Sequence, residues 1–182
     1  DYKTQKGGIS YRYHNKKINY FVGLNYQNAF LDGSQQFPSS FQLSRSFSNL
    51  LPNAMFNIRF SKTENIRLMY RTSTDAPSIS QLQDVIDNTN SLLLRTGNRD
   101  LQQAYQHTLT IRYGNTNSKT SRSFFVYAYG NIVQDYISTQ NITDPNYAAA
   151  NGFHLLPGSQ ISRPINMGGY YSSRAFITYG IP

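Results

Sequence analysis

Apolar and polar residues alternate with a period of two in run after run of this chain, and that period describes a strand with one greasy and one wet face. Ile66, Leu68 and Tyr70 alternate with Arg67, Met69 and Arg71. Further on, Tyr105, Leu109, Ile111 and Tyr113 oppose Gln106, Thr108, Thr110 and Arg112. Ile9, Tyr11 and Tyr13 oppose Ser10, Arg12 and His14, and Ile18, Tyr20, Val22, Leu24 and Tyr26 oppose Asn19, Phe21, Gly23, Asn25 and Gln27. A sheet built from such runs has an apolar face and a charged face. In a soluble domain the apolar face covers a core, whereas in an outer-membrane barrel it faces lipid and the polar row lines the lumen.

The connections weigh on that choice. A tight turn at Asn15 and Lys16 joins the first two runs into a hairpin. Phe30 to Pro52, with Asp32-Gly33 and Pro38 as turn signals, reads as a long loop with ragged strand ends, in which Phe41 to Phe47 extends a strand. A strand over Ala54 to Phe60 and a short turn through Lys62 to Asn65 follow. The loop after Tyr70 is long; Asn115 to Lys119 is a short turn; a strand from near Ser121 carries an expected register break at Gly130 and Asn131. Gln140 to Asn166 is a third long loop, and Gly168 to Ile181 is the last strand. Short and long connections therefore alternate, as they do in up-and-down membrane barrels. Ile18 to Tyr26 is nine residues and Ala104 to Tyr113 ten, against the ~9–11 that a tilted strand needs to cross a bilayer. Tyr11, Tyr13, Tyr26, Tyr70, Tyr105, Tyr113 and Tyr179 lie toward strand ends, where an interfacial girdle would hold them.

Composition agrees with an ordered β chain. Only 14% of residues are charged while 14% are aromatic, including 15 Tyr and 11 Phe, the reverse of a disordered chain. No apolar run reaches the ~18 residues of a membrane helix, and the mean hydropathy of −0.54 argues further against helical spans. The 17 Lys and Arg that give a net charge of +8 are scattered rather than gathered, so no nucleic-acid partner is expected. The expected fold is all-β: an antiparallel up-and-down meander of about seven strands, part of a transmembrane β-barrel, with a short helix in one long loop. That helix is placed over Ser78 to Asp87, because Ser78 and Gln81 form a capping box and Ile79, Leu82 and Ile86 share a helical face.

Tyr70-Arg71, Ala76-Pro77-Ser78, Gln81-Leu82 and Gly97-Asn98 with Asp100-Leu101 before an alternating strand together resemble the C-terminal half of TonB-dependent outer-membrane transporters. The likeness is greatest to the Bacteroidota-type outer-membrane β-barrel branch, which Asn53 to Tyr113 and Ser162-Arg163-Pro164-Ile165-Asn166 also resemble. It covers roughly Gly8 to Pro182, and its specific part is Tyr70 to Leu101. Arg99 stands where the family usually has Pro, and Gln102, Gln103 and Ala104 replace Lys-Pro-Glu, so a different loop exit is expected. The resemblance implies a barrel of about 22 strands around an N-terminal plug. Residues 1–182 are accordingly expected to be an internal fragment, with the plug, the remaining strands and the terminal aromatic signal absent.

The chemistry of the chain points the same way. His14, His107 and His154 lack ligand spacing and are expected to be unpaired; no catalytic constellation, metal site or cofactor motif is present, so no enzyme is expected. Asp75, Gln81, Asn98, Arg99 and Asp100 flank the ordered parts of the central loop and are candidates for substrate contact. Arg59, Arg67, Arg71 and Arg112 share polar rows and are lumen-facing candidates, a cationic wall that would favour anionic ligands. The resemblance implies a receptor or transporter in the outer membrane of a Gram-negative bacterium that imports a scarce solute such as a siderophore or glycan. It implies as partners outer-membrane lipid, an inner-membrane energy-coupling complex acting through the plug, and a surface lipoprotein lid. The alternative is a soluble β-sandwich or partial barrel serving in adhesion or glycan binding.

Overall fold

The computed structural model describes residues 1–35 and 41–182. In chain order the elements are β1 (Tyr2–His14), β2 (Ile18–Gln35), β3 (Phe41–Arg59), β4 (Glu64–Asp75), α1 (Ile79–Leu82), β5 (Leu93–Arg95) and β6 (Ala104–Asn117). β7 (Arg122–Gln134), β8 (Tyr136–Ile142), α2 (Pro145–Ala150), β9 (Gln160–Met167) and β10 (Tyr170–Gly180) complete the chain. Seven strands form one open antiparallel meander, β1-β2-β3-β4-β6-β7-β10, and the other three form a small sheet, β5-β9-β8. All seven strands expected from the period-two pattern are members of the larger sheet.

Register turns the alternation of single strands into two continuous faces. Ile18, Ile58, Ile66, Tyr113, Val126 and Ile177 make one row across the sheet, and Tyr13, Tyr20, Phe56, Leu68, Ile111, Ala128 and Ala175 the next. None of the described residues covers this face: Ile9 is 79% exposed, Tyr171 72% and Ile177 69%. Soluble proteins rarely leave more than a few hundred Å² of contiguous apolar surface bare. The tyrosines near strand ends project from this face and pack on one another. Tyr13 stacks on Tyr20 at 5.4 Å and Tyr20 on Phe56 at 5.9 Å near the short turns. At the far end Tyr105 packs on His107 at 4.8 Å. His107 also takes part in a 2.8 Å bond between its Nδ1 and the Tyr70 hydroxyl, so it is paired and on the apolar face, contrary to expectation.

The long loop expected over Phe30 to Pro52 is instead two strands. β2 and β3 pair without interruption from Ile18↔Ile58 to Gln35↔Phe41; Pro38 lies outside the described residues. At 18 and 19 residues they are about twice as long as a bilayer crossing requires. Their composition misleads because the apolar residues change face halfway along. From Ile18 to Tyr26 and from Leu50 to Ile58 the even-numbered, bare face is apolar. Beyond the Tyr26↔Leu50 pair that face keeps Phe30 but otherwise carries polar residues, among them Asn28, Asp32, Ser44, Ser46 and Ser48, while Ala29, Leu31 and Leu43 are buried on the opposite one. Leu50 to Ile58 rises roughly 26 Å along the strand at ~3.3 Å per residue, about 20 Å once tilted, comparable with the ~25 Å apolar band of an outer-membrane barrel. β3 also parts from β4 at this height. Their ladder stops at Asn53↔Arg71, next to Pro52, which has no N–H to donate and whose carbonyl accepts from the Thr72 hydroxyl at 2.8 Å.

Three smaller expectations are also corrected. Gly130 and Asn131 hold register on both sides, opposite Leu109 and Thr108 and opposite Ser173 and Ser172, so β7 has no break. The Asn131 side-chain oxygen accepts from Gln106 at 2.8 Å and from Thr108 at 3.3 Å, which fastens the strand where a bulge was expected. Gln140 to Asn166, expected as a long loop, holds the end of β8, all of α2 and all but the last residue of β9. The helix expected over Ser78 to Asp87 is a single turn, Ile79–Leu82.

The change of face makes a quantitative prediction in a bilayer. Val22→Arg, at mid-height of the apolar band, should cost about 2–4 kcal/mol, and Ser46→Arg, on the same face above the crossover, about 0–1 kcal/mol. Denaturant unfolding of the full-length protein in lipid vesicles measures both; equal costs would place the two positions in the same medium.

Candidate functional site

The loop-bearing end of the molecule is built where β2 and β3 outrun the apolar band. Ser78 caps α1 as the sequence implied: its hydroxyl accepts from the Gln81 amide at 3.2 Å and the Gln81 side chain accepts from the Ser78 amide at 2.9 Å. The helix stops after one turn because its last carbonyls are taken by the returning chain. The Asn98 amide donates to the Gln81 carbonyl at 2.7 Å and the Gly97 amide to the Gln83 carbonyl at 3.0 Å. Only glycine fits this approach, since a Cβ at Gly97 would lie 2.4 Å from the Gln83 oxygen. Leu82 and Leu101, both fully buried, then pack with Leu31 and Leu43, and Ile79 and Ile137 close around them. The loop therefore folds onto the polar-face side of the extended β2–β3 hairpin.

The last long connection forms a second small core. Asp144 caps α2 by accepting from the Asn146 amide at 2.9 Å with Pro145 in the first turn, and Gly152 at φ +80° ends the turn beyond Asn151. Ala148 packs on Ile142 and Ile161 with Leu94, Phe153 and Leu155 around them. β5, from the central loop, pairs in parallel with β9, so one sheet joins the two connections. Asn166 fastens the junction: its oxygen accepts from the Gln102 amide at 2.7 Å, and its amide donates to the Gln102 carbonyl at 3.1 Å and the Asp135 carbonyl at 2.7 Å. Asn98 adds a bond to the Pro164 carbonyl at 3.1 Å.

Within this assembly the five loop candidates divide by role. Gln81 and Asn98 hold the loop together. Arg99 and Asp100 are exposed at the loop exit. The Arg99 guanidinium stands 3.9 Å from Asp84, and its carbonyl accepts from Arg45. Asp75 lies apart at the end of β4, lining a cleft of about 430 Å³ with Thr74, Pro77, Ser78 and Ile79. The sequence singles out Gln102, in the loop exit, and the run from Ser162 to Asn166 separately, and only the structure pairs Gln102 with Asn166. The four arginine candidates share the polar face. Arg67 and Arg112 are direct cross-strand partners, Arg71 sits opposite Asn53 and Thr108, and Arg59 sits opposite Asn65. A cleft of about 390 Å³ opens on this face among Arg12, Phe21, Asn53, Met55, Met69 and Arg71.

Residues 3–182 match the outer membrane protein β-barrel family. The chain belongs to that family. The bare apolar rows therefore face lipid in the outer membrane of a Gram-negative bacterium, and the soluble module considered from the sequence is set aside. The fold is similar to that of the hemophore receptor HasR of Serratia marcescens, solved as a double mutant in complex with its hemophore HasA and heme. The TM-score is 0.68 at 12% identity, over 98% of this chain and 32% of that one. This chain thus spans about a third of the receptor's length. No curated protein matches it in sequence.

Two predictions test the assembly. Asn166→Ala removes three hydrogen bonds, each worth about 0.5–1.5 kcal/mol, so protease sites in 83–96 and in 143–158 should become more accessible together; loosening of only one segment would show that they are not coupled. Asp87 accepts from the Thr89 hydroxyl at 2.5 Å and the Thr89 amide at 3.0 Å. Those bonds, helped by Arg95, hold its carboxyl below the ordinary value of 3.8. A lowered folded pKa gives a contribution that is complete above the unfolded pKa and lost as pH falls through the folded one. The 87–89 turn should therefore stay formed through mildly acid pH and loosen only below the ordinary aspartate range. A carboxyl ¹³C titration midpoint at or above 3.8 would contradict this.

Proposed function

We propose that this barrel wall belongs to a TonB-dependent receptor that binds a scarce solute at the cell surface and imports it, without catalysing a reaction. The observation that carries the reading is the inward packing of the long connections, with Leu82 and Leu101 of the central loop seated on Leu31 and Leu43. An open pore has no use for a fastened loop core at its mouth, whereas a gated receptor needs a constriction assembled from several loops. The structural likeness to a hemophore receptor supports the receptor class; the solute here is left as a siderophore, glycan or similar molecule. Asp75, Arg99 and Asp100 are the loop side chains offered to it, with Gln81 and Asn98 as scaffold. Energy would reach the barrel from an inner-membrane complex through a plug, and a surface lipoprotein lid would sit over the loops.

Orientation tests the reading directly. In the full-length protein, cysteines at Lys16, Lys62 and Ser118, in the short turns, should react with a thiol reagent only from the periplasm. Cysteines at Asn88 and Ala149 should react only from outside. Reversed or mixed labelling would sink the proposal.

A further inference from the structure

The β2–β3 hairpin rises past β4 with one of its two sides bare. On the β2 side, β1 follows it up to the Tyr2↔Leu31 pair. On the β3 side, the ladder to β4 stops at Asn53↔Arg71. The Arg59 amide donates to the Lys17 carbonyl at 2.7 Å and the Phe60 amide to the Glu64 carbonyl at 2.9 Å. Odd-numbered residues of β3 therefore turn their N–H and C=O toward β2, and even-numbered ones turn theirs away from it. The β2–β3 register runs unbroken to Gln35↔Phe41, so this alternation holds along the whole extension. Two carbonyls of the even row are capped by side chains: Pro52 by the Thr72 hydroxyl at 2.8 Å and Leu50 by the Tyr105 hydroxyl at 2.5 Å. Above them the amides and carbonyls of Ser44, Ser46 and Ser48 have no partner among the described residues. All three serines are exposed. The central loop passes on the inner face, where Leu101 meets Leu43 and the Gln103 side chain meets Asn49.

A bare row of strand donors and acceptors is a template for another strand, and edges that must stay unpaired are blunted with Lys, Pro or a bulge. Ser44 to Ser48, Ser-Arg-Ser-Phe-Ser, has none of these. Its one charge, Arg45, is already bonded to the Arg99 carbonyl. We infer that this edge of β3 takes a strand of a second polypeptide, added antiparallel to it outside the cell. The inference rests on the reading of the loop-bearing end as the outer one. Main-chain complementarity names the chemistry: alternate residues, each offering one N–H and one C=O at a repeat of about 7 Å, match an extended backbone. A sugar or a small anion does not repeat that pattern. Side chains of the added strand lie beside Ser44, Ser46 and Ser48 on one face and beside half-buried Phe47 on the other, so it alternates polar and apolar residues. Symmetry excludes a second copy in the same membrane. Two identical edges pair antiparallel about a two-fold axis normal to the sheet. The normal of a barrel wall lies in the membrane plane, so that axis would turn one copy upside down.

Photo-crosslinking reads both the partner and its direction. The full-length protein, in the native outer membrane of its source cells, would carry p-benzoylphenylalanine in place of Ser44 or of Ser48, and the adducts formed on irradiation would be digested and sequenced by mass spectrometry. Both positions should couple to one segment of a second polypeptide, with the Ser44 adduct about four residues C-terminal to the Ser48 adduct, as antiparallel pairing requires. S46P withdraws one edge N–H and leaves the ladder to β2 whole. It should abolish both adducts while S46A keeps them, with heat-modifiable migration reporting that each variant is folded. Adducts in the opposite order, adducts on this protein's own loops, adducts that survive S46P, or no polypeptide adduct would each overturn the inference. Labelling of a cysteine at Ala149 tests the orientation separately. Labelling from outside without adducts removes this inference alone, and labelling from the periplasm removes both.

Discussion

Everything in this structure depends on a change of solvent along the strand axis. A backbone polar group in hydrocarbon has no water to bond, so every strand that crosses must be paired on both sides or complete a closed wall. The side chains must reverse ordinary practice and carry their apolar residues outward. Where hydrocarbon ends the rule reverts, and the same strands turn their apolar residues inward. The Tyr26↔Leu50 pair marks that change on β2 and β3. Below it Ile18, Val22 and Leu24 are bare; above it Ala29, Leu31 and Leu43 are buried.

The reversal creates the site. Once the inner face of the β2–β3 extension is apolar, it has to be covered, and Leu82 and Leu101 of the central loop are what covers it. That contact pulls the loop across the mouth of the wall. Backbone bonds from Gly97 and Asn98 then end the short helix, and β5 and Asn166 tie the loop to the last long connection. A hydrophobic requirement at one strand extension thus propagates, through a few hydrogen bonds, into a joined outer assembly. Among the described residues the lower wall has no such covering, and its polar face carries Arg59, Arg67, Arg71 and Arg112.

Much of this was legible in the residues one by one. The membership of all seven strands, the tight turns, the capping box of Ser78 and Gln81, and the shared face of Arg59, Arg67, Arg71 and Arg112 follow from a period of two and from local hydrogen-bond chemistry. The extension of β2 and β3 was hidden because its apolar phase shifts by one residue, and polar Ser and Gln on the outer face resemble a loop. His107 was misjudged because its partner, Tyr70, is distant in sequence and adjacent only in register.

The sequence by itself determined the seven strands of the larger sheet and which residues of each share a face. Those are properties of neighbours one, two or three residues apart. Only the tertiary structure decided that α1 ends after Leu82, that Asn166 joins two connections, and that Arg67 stands opposite Arg112. Each depends on a contact between residues more than a dozen positions apart, and no local preference encodes which distant carbonyl, leucine or guanidinium the chain will bring alongside.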